Sequence, residues 1–407
     1  MLRADMDRGA QHVPNEKRAS SGGVSRDVGP IDGADEGLSP THPAMKVENP
    51  LSLAPPRRPF PSALPLISSR RVESRRKIRM APEWEPLFSD VTPIEQDDGP
   101  VPVVKIDYSP AFTKVMGYFR RVLVDGEHSE RSLLLSKSVI EHNAANYTAW
   151  QYRRTCLKEL HKGSSAEQRR KAWEDEKAYC TEQCTNNPKN YQVWFHRRAC
   201  VLGMSEAAAE LKLATTQDAI EELDFIAEVL TDENKNYHAW GHRQWVLQHF
   251  GGHWTAELDF VDALLESDLR NNSAWNQRYF VLQHTADLAS ADLVSREIDY
   301  ALRYIQRAPS NASPWTYLEG LVAPLGFARF PQVREACEAL GRGSEATSGR
   351  PAVPRCIPAL ALLTRILESA GNAADVTAAR ELCDELVALD PIRERFWRWR
   401  AASMRAA

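Results

Sequence analysis

The stretch "NYQVWFHRR" (Asn190–Arg198) decides the fold, because the pattern Asn-x-x-x-Trp-x-x-Arg within it recurs along the chain. The other copies, the last of which has Leu318 in place of the arginine, are "NYTAWQYRR" (Asn146–Arg154), "NYHAWGHRQ" (Asn236–Gln244), "NNSAWNQRY" (Asn271–Tyr279) and "NASPWTYLE" (Asn311–Glu319). Successive tryptophans lie 44, 46, 35 and 40 residues apart, which suits one helix pair with its two turns. The spacing predicts an array of helical hairpins.

Between the motifs, apolar residues recur at helical spacing, as in "DAIEELDFIAEVLTDENK" (Asp218–Lys235), and strand-like alternation is nearly absent. The periodicity begins after Ser109, a capping residue followed by a proline at the first helical position. A single hairpin cannot cover its own apolar face, so its neighbours must stack on it. The predicted fold class is all-α, a right-handed superhelix of stacked helical hairpins built from tetratricopeptide-like repeats.

Each conserved position of the motif has a predicted structural role. The asparagine precedes the second helix of its hairpin and is expected to cap the free N–H groups there. The tryptophan is expected to pack between adjacent hairpins, and the arginine to form an ion pair with the next repeat. These predictions cover Trp150, Trp194, Trp240 and Trp275, with Arg153, Arg197, Arg243 and Arg278.

The chain divides into three predicted parts. Residues 1–80 are rich in Pro, Ser, Gly and Arg and are predicted to be disordered. Their basic end, "SSRRVESRRKIRM" (Ser68–Met80), is compatible with a nuclear signal, a transit peptide, a solvated tail, or a true start at Met80. Residues 81–108 form an extended lead-in segment, and residues 109–407 form the repeat domain. Within that domain, Lys158–Lys177 is predicted to be an enlarged connection.

Composition excludes several classes of function. The formal charge of −4 gives no general attraction to nucleic acid. The seven cysteines have no zinc-ligand spacing, so no metal site is predicted on this chain. No run of eighteen apolar residues and no signal peptide is present, which predicts a soluble cytoplasmic protein rather than an integral membrane protein.

Residues that differ between repeats are the candidates for function. Lys189, Tyr191 and Gln192 accompany the second motif, and Tyr237 and His238 accompany the third. In a stack, equivalent helix starts lie side by side about 10 Å apart. These five residues therefore predict a ledge beside helix N-termini, where a phosphate or a carboxylate is favoured. Phosphate-loop, dinucleotide-binding, serine-hydrolase and zinc-protease motifs are absent.

These residues resemble the alpha subunit shared by protein farnesyltransferase and protein geranylgeranyltransferase type I. The resemblance covers roughly residues 84 to 405. It is carried by the five motifs, by "PKNYQVW" (Pro188–Trp194), "KNYHAWGHRQWV" (Lys235–Val246) and "RNNSAWNQRYFV" (Arg270–Val281), and by "DVTPIEQDDGPVPVVKIDYSPAF" (Asp90–Phe112). The alpha subunit of the Rab geranylgeranyltransferase is not expected to carry the "QDDGPVPVV" part of that lead-in (Gln96–Val104).

The resemblance implies a crescent of hairpins around a beta subunit, with activity only in the heterodimer. The enzyme would transfer a farnesyl or geranylgeranyl group from its diphosphate to the cysteine of CaaX proteins such as small GTPases. Zinc would be held by the beta subunit, and magnesium would assist the diphosphate, at least in the farnesyl enzyme. The implied partners are the beta subunits of both enzymes.

The resemblance also implies roles for individual residues. Lys189 would be catalytic, because a positioned ammonium stabilises the charge that grows on the departing diphosphate. Gln192 would hydrogen-bond the C-terminal carboxylate of the protein substrate. The remaining substrate-binding positions near the diphosphate would be Tyr191, Tyr237 and His238, with Asn190 and Asn236 as supporting positions.

Two alternatives stay open. The first is a non-catalytic helical-repeat scaffold that binds peptides on its concave face. The second is a Rab-type alpha subunit, which would need an escort protein to present its substrate. The lead-in segment and a CaaX peptide assay discriminate among the three hypotheses.

Overall fold

The computed structural model describes residues 82–343 and 354–405, and within these ranges it is all helix, turn and irregular segment, without a strand. The α-helices are α1 (Pro110–Asp125), α2 (Glu130–His142), α3 (Tyr147–Leu160), α4 (Ala166–Asn186), α5 (Tyr191–Leu211), α6 (Thr216–Asp232), α7 (Tyr237–Phe250), α8 (Trp254–Ser267), α9 (Asn272–Thr285), α10 (Ala291–Arg307), α11 (Ala312–Val322), α12 (Pro331–Arg342), α13 (Ile357–Ala370), α14 (Ala373–Leu389) and α15 (Glu394–Ser403). The predicted disorder of residues 1–80 lies outside the described residues.

The helices pack in consecutive pairs, and the pairs stack on one another. The hairpins that carry the motifs are α2–α3, α4–α5, α6–α7, α8–α9 and α10–α11. In every one of them the motif occupies the start of the second helix, and the second helices α3, α5, α7, α9 and α11 contact one another in that order. The predicted class, all-α with stacked helical hairpins, is confirmed. None of the described helices is both long and apolar enough to cross a bilayer.

The asparagine and tryptophan of each motif act as predicted. The five asparagine side chains each accept a hydrogen bond from a backbone N–H in the first turn of their helix. The five tryptophans are buried, and each indole Nε1–H donates to the carbonyl oxygen six residues earlier. In the second motif this bond joins Trp194 to the Pro188 carbonyl at 2.8 Å. The tryptophan therefore fixes the turn that precedes its own helix.

The motif arginines form buried ion pairs with the first helix of the next hairpin, as predicted. Arg197 on α5 donates from Nε and Nη2 to the two carboxylate oxygens of Glu222 on α6, at 2.6 and 2.8 Å. Equivalent pairs join Arg153 to Glu176, Arg243 to Glu257 and Arg278 to Glu297. Such forked pairs fix both the spacing and the rotation of adjacent hairpins.

A second donor to each buried glutamate was not predicted. Each second donor stands two residues after the tryptophan of the hairpin to which the glutamate belongs, whereas the arginine comes from the preceding hairpin. Residues from two repeats therefore hold one carboxylate. These donors are His196 to Glu176, His242 to Glu222, Gln277 to Glu257 and Tyr317 to Glu297. The position has no common residue type, which is why the repeat alignment did not reveal it.

Glu176 and Glu222 are ionised, and their histidine partners, His196 and His242, are neutral. Burial alone would raise the pKa of Glu222, but the charge of Arg197 and the hydrogen bond from His242 outweigh it and lower that pKa to about 2. Burial lowers the pKa of His242, and its Nε2 lies 2.7 Å from a Glu222 oxygen. A neutral imidazole with its proton on Nε2 is the form that donates to this carboxylate.

The predicted connection at Lys158–Lys177 is wrong. Most of it belongs to α4, which starts at Ala166, so the real connection is only His161–Ser165. Ser165 and Gln168 form a capping box, which starts the helix despite its many charges. Trp173 is buried about two turns into α4, where it packs on Gly203 of α5.

The lead-in segment is held to the first hairpins at its beginning. Glu85–Phe88 forms a short 3-10 helix, and Trp84 and Phe88 are buried. Residues 89–109 contain neither helix nor strand. Ser109 then caps α1 by accepting a hydrogen bond from Phe112 N–H, as predicted.

Candidate functional site

The predicted ledge lies where α5 and α7 begin, and Asn190 and Asn236 determine its backbone. Asn190 caps α5 through the N–H of Gln192, and Asn236 caps α7 through the N–H of His238, both at 2.9 Å. The Asn236 amide also donates to the Pro188 carbonyl at 3.0 Å, across 48 residues of sequence. Because Asn236 is only 3% exposed, it fixes the start of α7 against the turn before α5.

The structure brings three of the predicted aromatic side chains together. The ring centroids of Tyr191 and His238 lie 5.8 Å apart, and those of Tyr237 and His238 lie 5.7 Å apart, both edge to face. His238 is therefore the centre of a row that joins two repeats. Tyr191 and Tyr237 are 64% and 81% exposed, so most of each ring faces solvent. Such rings offer hydroxyl groups and apolar edges to a ligand.

Gln192 lies one residue further along α5 and is half-buried. Its backbone is used in the cap of α5, whereas its side-chain amide has no hydrogen-bond partner within residues 82–343 and 354–405. A surface depression runs from this residue to the turn before α3. Its lining residues are Ala145, Asn187, Pro188, Lys189, Asn190, Tyr191 and Gln192.

Lys189 has a partner that was not predicted. Its Nζ lies 2.6 Å from Oε1 of Glu233, which stands at the end of α6. The Lys189 side chain is 75% exposed, and water screens such a pair strongly. The other oxygen of Glu233 accepts from the Asn236 amide at 3.3 Å. Glu233 therefore connects the ammonium to the buried asparagine that positions α7.

The same arrangement recurs one repeat further on, in weaker form. Lys235 stands at the equivalent position, and its Nζ lies 3.7 Å from Asp268. The residue aligned with His238 is there Ser273, so the row of aromatic rings does not continue. In both cases the carboxylate that pairs with the lysine stands three residues before the motif asparagine of the following repeat, and this spacing is visible in the sequence. What distinguishes Lys189 is its place beside Tyr191 and His238.

The electrostatics of the ledge favour an anion. The N-termini of α5 and α7 both point into it, and each carries partial positive charge on its first N–H groups. Lys189 adds a full positive charge that is tied to a single exposed carboxylate. An anion with two or more charges competes with Glu233 for this ammonium, because the exposed pair stabilises the free chain little.

The side chains in the described part of the chain offer no set of ligands that fits a zinc ion. Among the described residues, no three His, Cys, Asp or Glu side chains converge as metal ligands. All seven cysteines are buried as free thiols. The ledge itself offers one carboxylate, Glu233, which is engaged by Lys189. A magnesium ion at the ledge would need oxygens of the bound diphosphate as further ligands.

Comparison with known proteins agrees with the architecture of stacked helical hairpins. The family model described as protein prenyltransferase alpha subunit repeat matches residues 129–160, 173–204, 220–250 and 254–285. The protein farnesyltransferase/geranylgeranyltransferase type-1 subunit alpha of Dictyostelium discoideum is 41% identical over 241 residues, which cover 59% of this chain and 69% of that protein. The chain belongs to this alpha-subunit family. The subunit of the same name from Candida albicans is 32% identical over 58% of this chain and 72% of its own length.

Other alpha subunits of the family match over shorter stretches. That of Pisum sativum is 51% identical over 88 residues, which are 22% of this chain and only 25% of the pea protein. Among solved structures, Candida albicans protein geranylgeranyltransferase-I complexed with GGPP superposes with a TM-score of 0.63 at 28% identity. That match covers 78% of this chain and 98% of the solved one. The family resemblance inferred from the motifs is thereby confirmed, whereas the roles of the individual ledge residues stay predictions.

Proposed function

We propose that this chain is the alpha subunit of a heterodimeric protein prenyltransferase in the cytoplasm. The complex transfers a farnesyl or geranylgeranyl group from its diphosphate to the cysteine thiol of proteins that end in a CaaX sequence, such as small GTPases. Family membership supports the subunit role, and the solved relative bound to GGPP supports the isoprenoid diphosphate. The observation that carries the proposal is the exposed Lys189 beside Tyr191 and His238, at two helix N-termini.

The reaction needs an anion site of this kind. The cysteine thiol first gives up its proton to solvent. The thiolate sulfur then forms a bond to C1 of the isoprenoid, the bond from C1 to the diphosphate oxygen breaks, and pyrophosphate leaves with the bonding electrons. Negative charge therefore grows on the leaving oxygen as the reaction proceeds. An ammonium held near that oxygen stabilises the transition state more than the ground state. Lys189 is the ledge residue that supplies such a charge.

The remaining ledge residues bind and orient the substrates. Tyr191, Tyr237 and His238 form the wall beside the diphosphate, and Asn190 and Asn236 hold the two helix starts that carry them. Gln192 donates its free amide to the terminal carboxylate of the CaaX protein, because a neutral amide pairs with a carboxylate without needing a second charge. The beta subunit supplies the zinc ligands and the isoprenoid cavity, and magnesium assists the diphosphate at least in the farnesyl enzyme.

Prenyl transfer to a CaaX peptide tests the proposal. The chain is assayed alone and co-expressed with a candidate beta subunit, and Lys189→Ala is compared with its matched control Lys235→Ala. Transfer is expected only in the co-expressed sample. Lys189→Ala should lower kcat by about 10-fold to 1000-fold. Lys235→Ala should leave kcat within about twofold of wild type, because the repeat that follows this lysine has Ser273 at the position aligned with His238, so the row of aromatic rings does not continue there.

Three results would overturn the proposal. Full activity of the Lys189→Ala complex would remove the catalytic role of this lysine. Failure to co-purify with any beta subunit would favour the non-catalytic scaffold. Transfer to a Rab protein only in the presence of an escort protein, with none to the CaaX peptide, would favour the Rab-type enzyme.

A further inference from the structure

The last helix carries an apolar ridge that no described residue covers. Phe396 and Trp399 stand three residues apart on α15, which places them on one face, and Ile392 lies just before α15 in the short 3-10 helix Pro391–Arg393. Phe396 and Trp399 are 44% and 61% exposed, and Ile392 is 96% exposed. The rings of Phe396 and Trp399 have centroids 6.0 Å apart, so they form a continuous surface. We call these three residues the α15 ridge.

The ridge has a rigid base. Trp397 lies on the opposite face of α15, is 3% exposed and donates its indole N–H to Asp390 at 2.9 Å. The ring of Phe396 lies against that of Trp397, with centroids 4.7 Å apart. Met404, directly after the end of α15, is buried as well. The exposure of the ridge is thus set by the packing of the inner face, rather than by a loose chain end.

Positive charge surrounds the ridge. Residues 391–405 contain five arginines and a single glutamate, in a chain whose formal charge is −4. Arg395 precedes Phe396 and lies one turn before Trp399, and it has no ion-pair partner among the described residues. The other arginines of α15 and of the turn before it are ion-paired: Arg398 with Glu394 at 2.9 Å, Arg393 with Asp390, and Arg400 with Glu368. Arg395 and Arg405 are therefore the two arginines of the segment without an ion-pair partner among the described residues. The ridge therefore presents aromatic rings and cations together.

We propose that the α15 ridge docks this chain on an anionic lipid surface. Tryptophan, phenylalanine and arginine are the residues with which interfacial helices insert into the headgroup region, where rings lie at the acyl boundary and guanidinium groups meet lipid phosphates. A protein partner would need a complementary groove and a contact of roughly 800 Å² on each side. Three residues on a convex helix offer far less, whereas a fluid bilayer adapts to a ridge of any shape.

This proposal is independent of the prenyltransferase activity. The ledge lies at the starts of α5 and α7, and none of its residues belongs to α15. Docking would place the chain at a surface where prenylated products have affinity, but the ridge would bind anionic lipid equally in an inactive chain.

Vesicle flotation tests the proposal with the full chain, alone and co-purified with its beta subunit. The vesicles contain phosphatidylcholine only, or phosphatidylcholine with roughly one third phosphatidylserine. The chain is expected to float with the anionic vesicles and not with the neutral ones, and the bound fraction should fall as salt is raised. Phe396→Ser combined with Trp399→Ser should lower binding at least about fivefold. The matched control is Tyr147→Ser, which removes an equally exposed ring elsewhere and should bind as wild type.

A second measurement locates the contact. Brominated phosphatidylcholine in the anionic vesicles should quench part of the tryptophan fluorescence, and Trp399→Phe should remove that quenching while vesicle binding persists. Equal binding to neutral and anionic vesicles, absence of flotation, or wild-type binding by the double variant would overturn the proposal. Loss of beta-subunit co-purification in the double variant, without any change in flotation, would instead identify the ridge as a protein interface.

Discussion

Removal of Glu222 is expected to destabilise the repeat stack more than removal of an exposed glutamate in the same fold. Glu222 is 1% exposed, and it accepts two hydrogen bonds from Arg197 and one from His242. Glu222→Ala leaves the guanidinium of Arg197, itself 2% exposed, without a counter-charge in the interior. Breaking a buried pair in this way costs about 3–5 kcal/mol of unfolding free energy.

The matched control is Glu266→Ala on α8. Glu266 pairs with Arg307, but its side chain is 63% exposed. Water replaces the lost contact there, so the expected cost is below about 1 kcal/mol. The double variant Arg197→Met with Glu222→Leu removes both charges together, and it should recover most of the stability lost in Glu222→Ala.

Urea unfolding followed by far-ultraviolet circular dichroism measures both effects. With a denaturant slope of about 3 kcal/mol per molar, the Glu222→Ala midpoint should shift down by roughly 1 M or more. The Glu266→Ala midpoint should shift by a few tenths of a molar at most. A shift of Glu222→Ala no larger than that of the control, or a double variant no more stable than Glu222→Ala, would refute the assignment of this contact as a buried ion pair.

Three further predictions concern packing, the ledge and pH. Gly203→Val should lower the thermal midpoint and cost about 1–3 kcal/mol of unfolding free energy, because a Cβ at this position would lie 2.4 Å from the Trp173 ring. The control for crowding is Gly241→Val, where a Cβ meets nothing within 4 Å. An unchanged midpoint in Gly203→Val would contradict the contact with Trp173. Glu233→Gln should make inorganic pyrophosphate a stronger inhibitor, with an inhibition constant several-fold lower, because the substitution frees Lys189 from a negative charge 2.6 Å away. Weaker inhibition would indicate instead that the Glu233 carboxylate holds the ammonium in place. The free energy of unfolding should fall as pH drops below about 6.5, where the histidines of the unfolded chain gain protons, and further below about 4.5, where its glutamates do. The reason is that the pKa values of His196, His242, Glu176 and Glu222 are lowered in the folded chain, so the unfolded chain binds more protons. A thermal midpoint independent of pH between 4 and 7 would refute this prediction.

The repeat architecture was predictable because its determinants are local and periodic. An asparagine at a helix start caps that helix whatever surrounds it. The tryptophan four residues later has a large apolar surface, and its burial is strongly favourable. The same local logic fails at α4, where Lys158–Lys177 is predicted to be a connection and the structure has a helix from Ala166 onward. The capping box of Ser165 and Gln168 was the signal that identifies a helix start there.

Contacts across repeats were only partly predictable. The pattern showed that Arg197 would find an acid, but several acids of α6 were candidates, and the choice of Glu222 depends on the rotation of one hairpin against the next. The pairing of Lys189 with Glu233 spans 44 residues and depends on the same rotation. An acid three residues before the next motif asparagine marks Glu233 in the sequence, but no comparable spacing marks Glu222.

By itself, the sequence determined the helical hairpins, their caps, the burial of the tryptophans, the alpha-subunit family and the set of ledge residues, because period and motif are properties of a linear chain. The tertiary structure alone decided that His238 joins Tyr191 and Tyr237 in one row, that Glu233 holds Lys189, and that Phe396 and Trp399 face solvent. The physical reason is that these contacts and exposures depend on which helix faces pack together when the hairpins bury their apolar surface. Until the hairpins have packed, the distance between residues of different repeats and the exposure of a side chain to water are not defined.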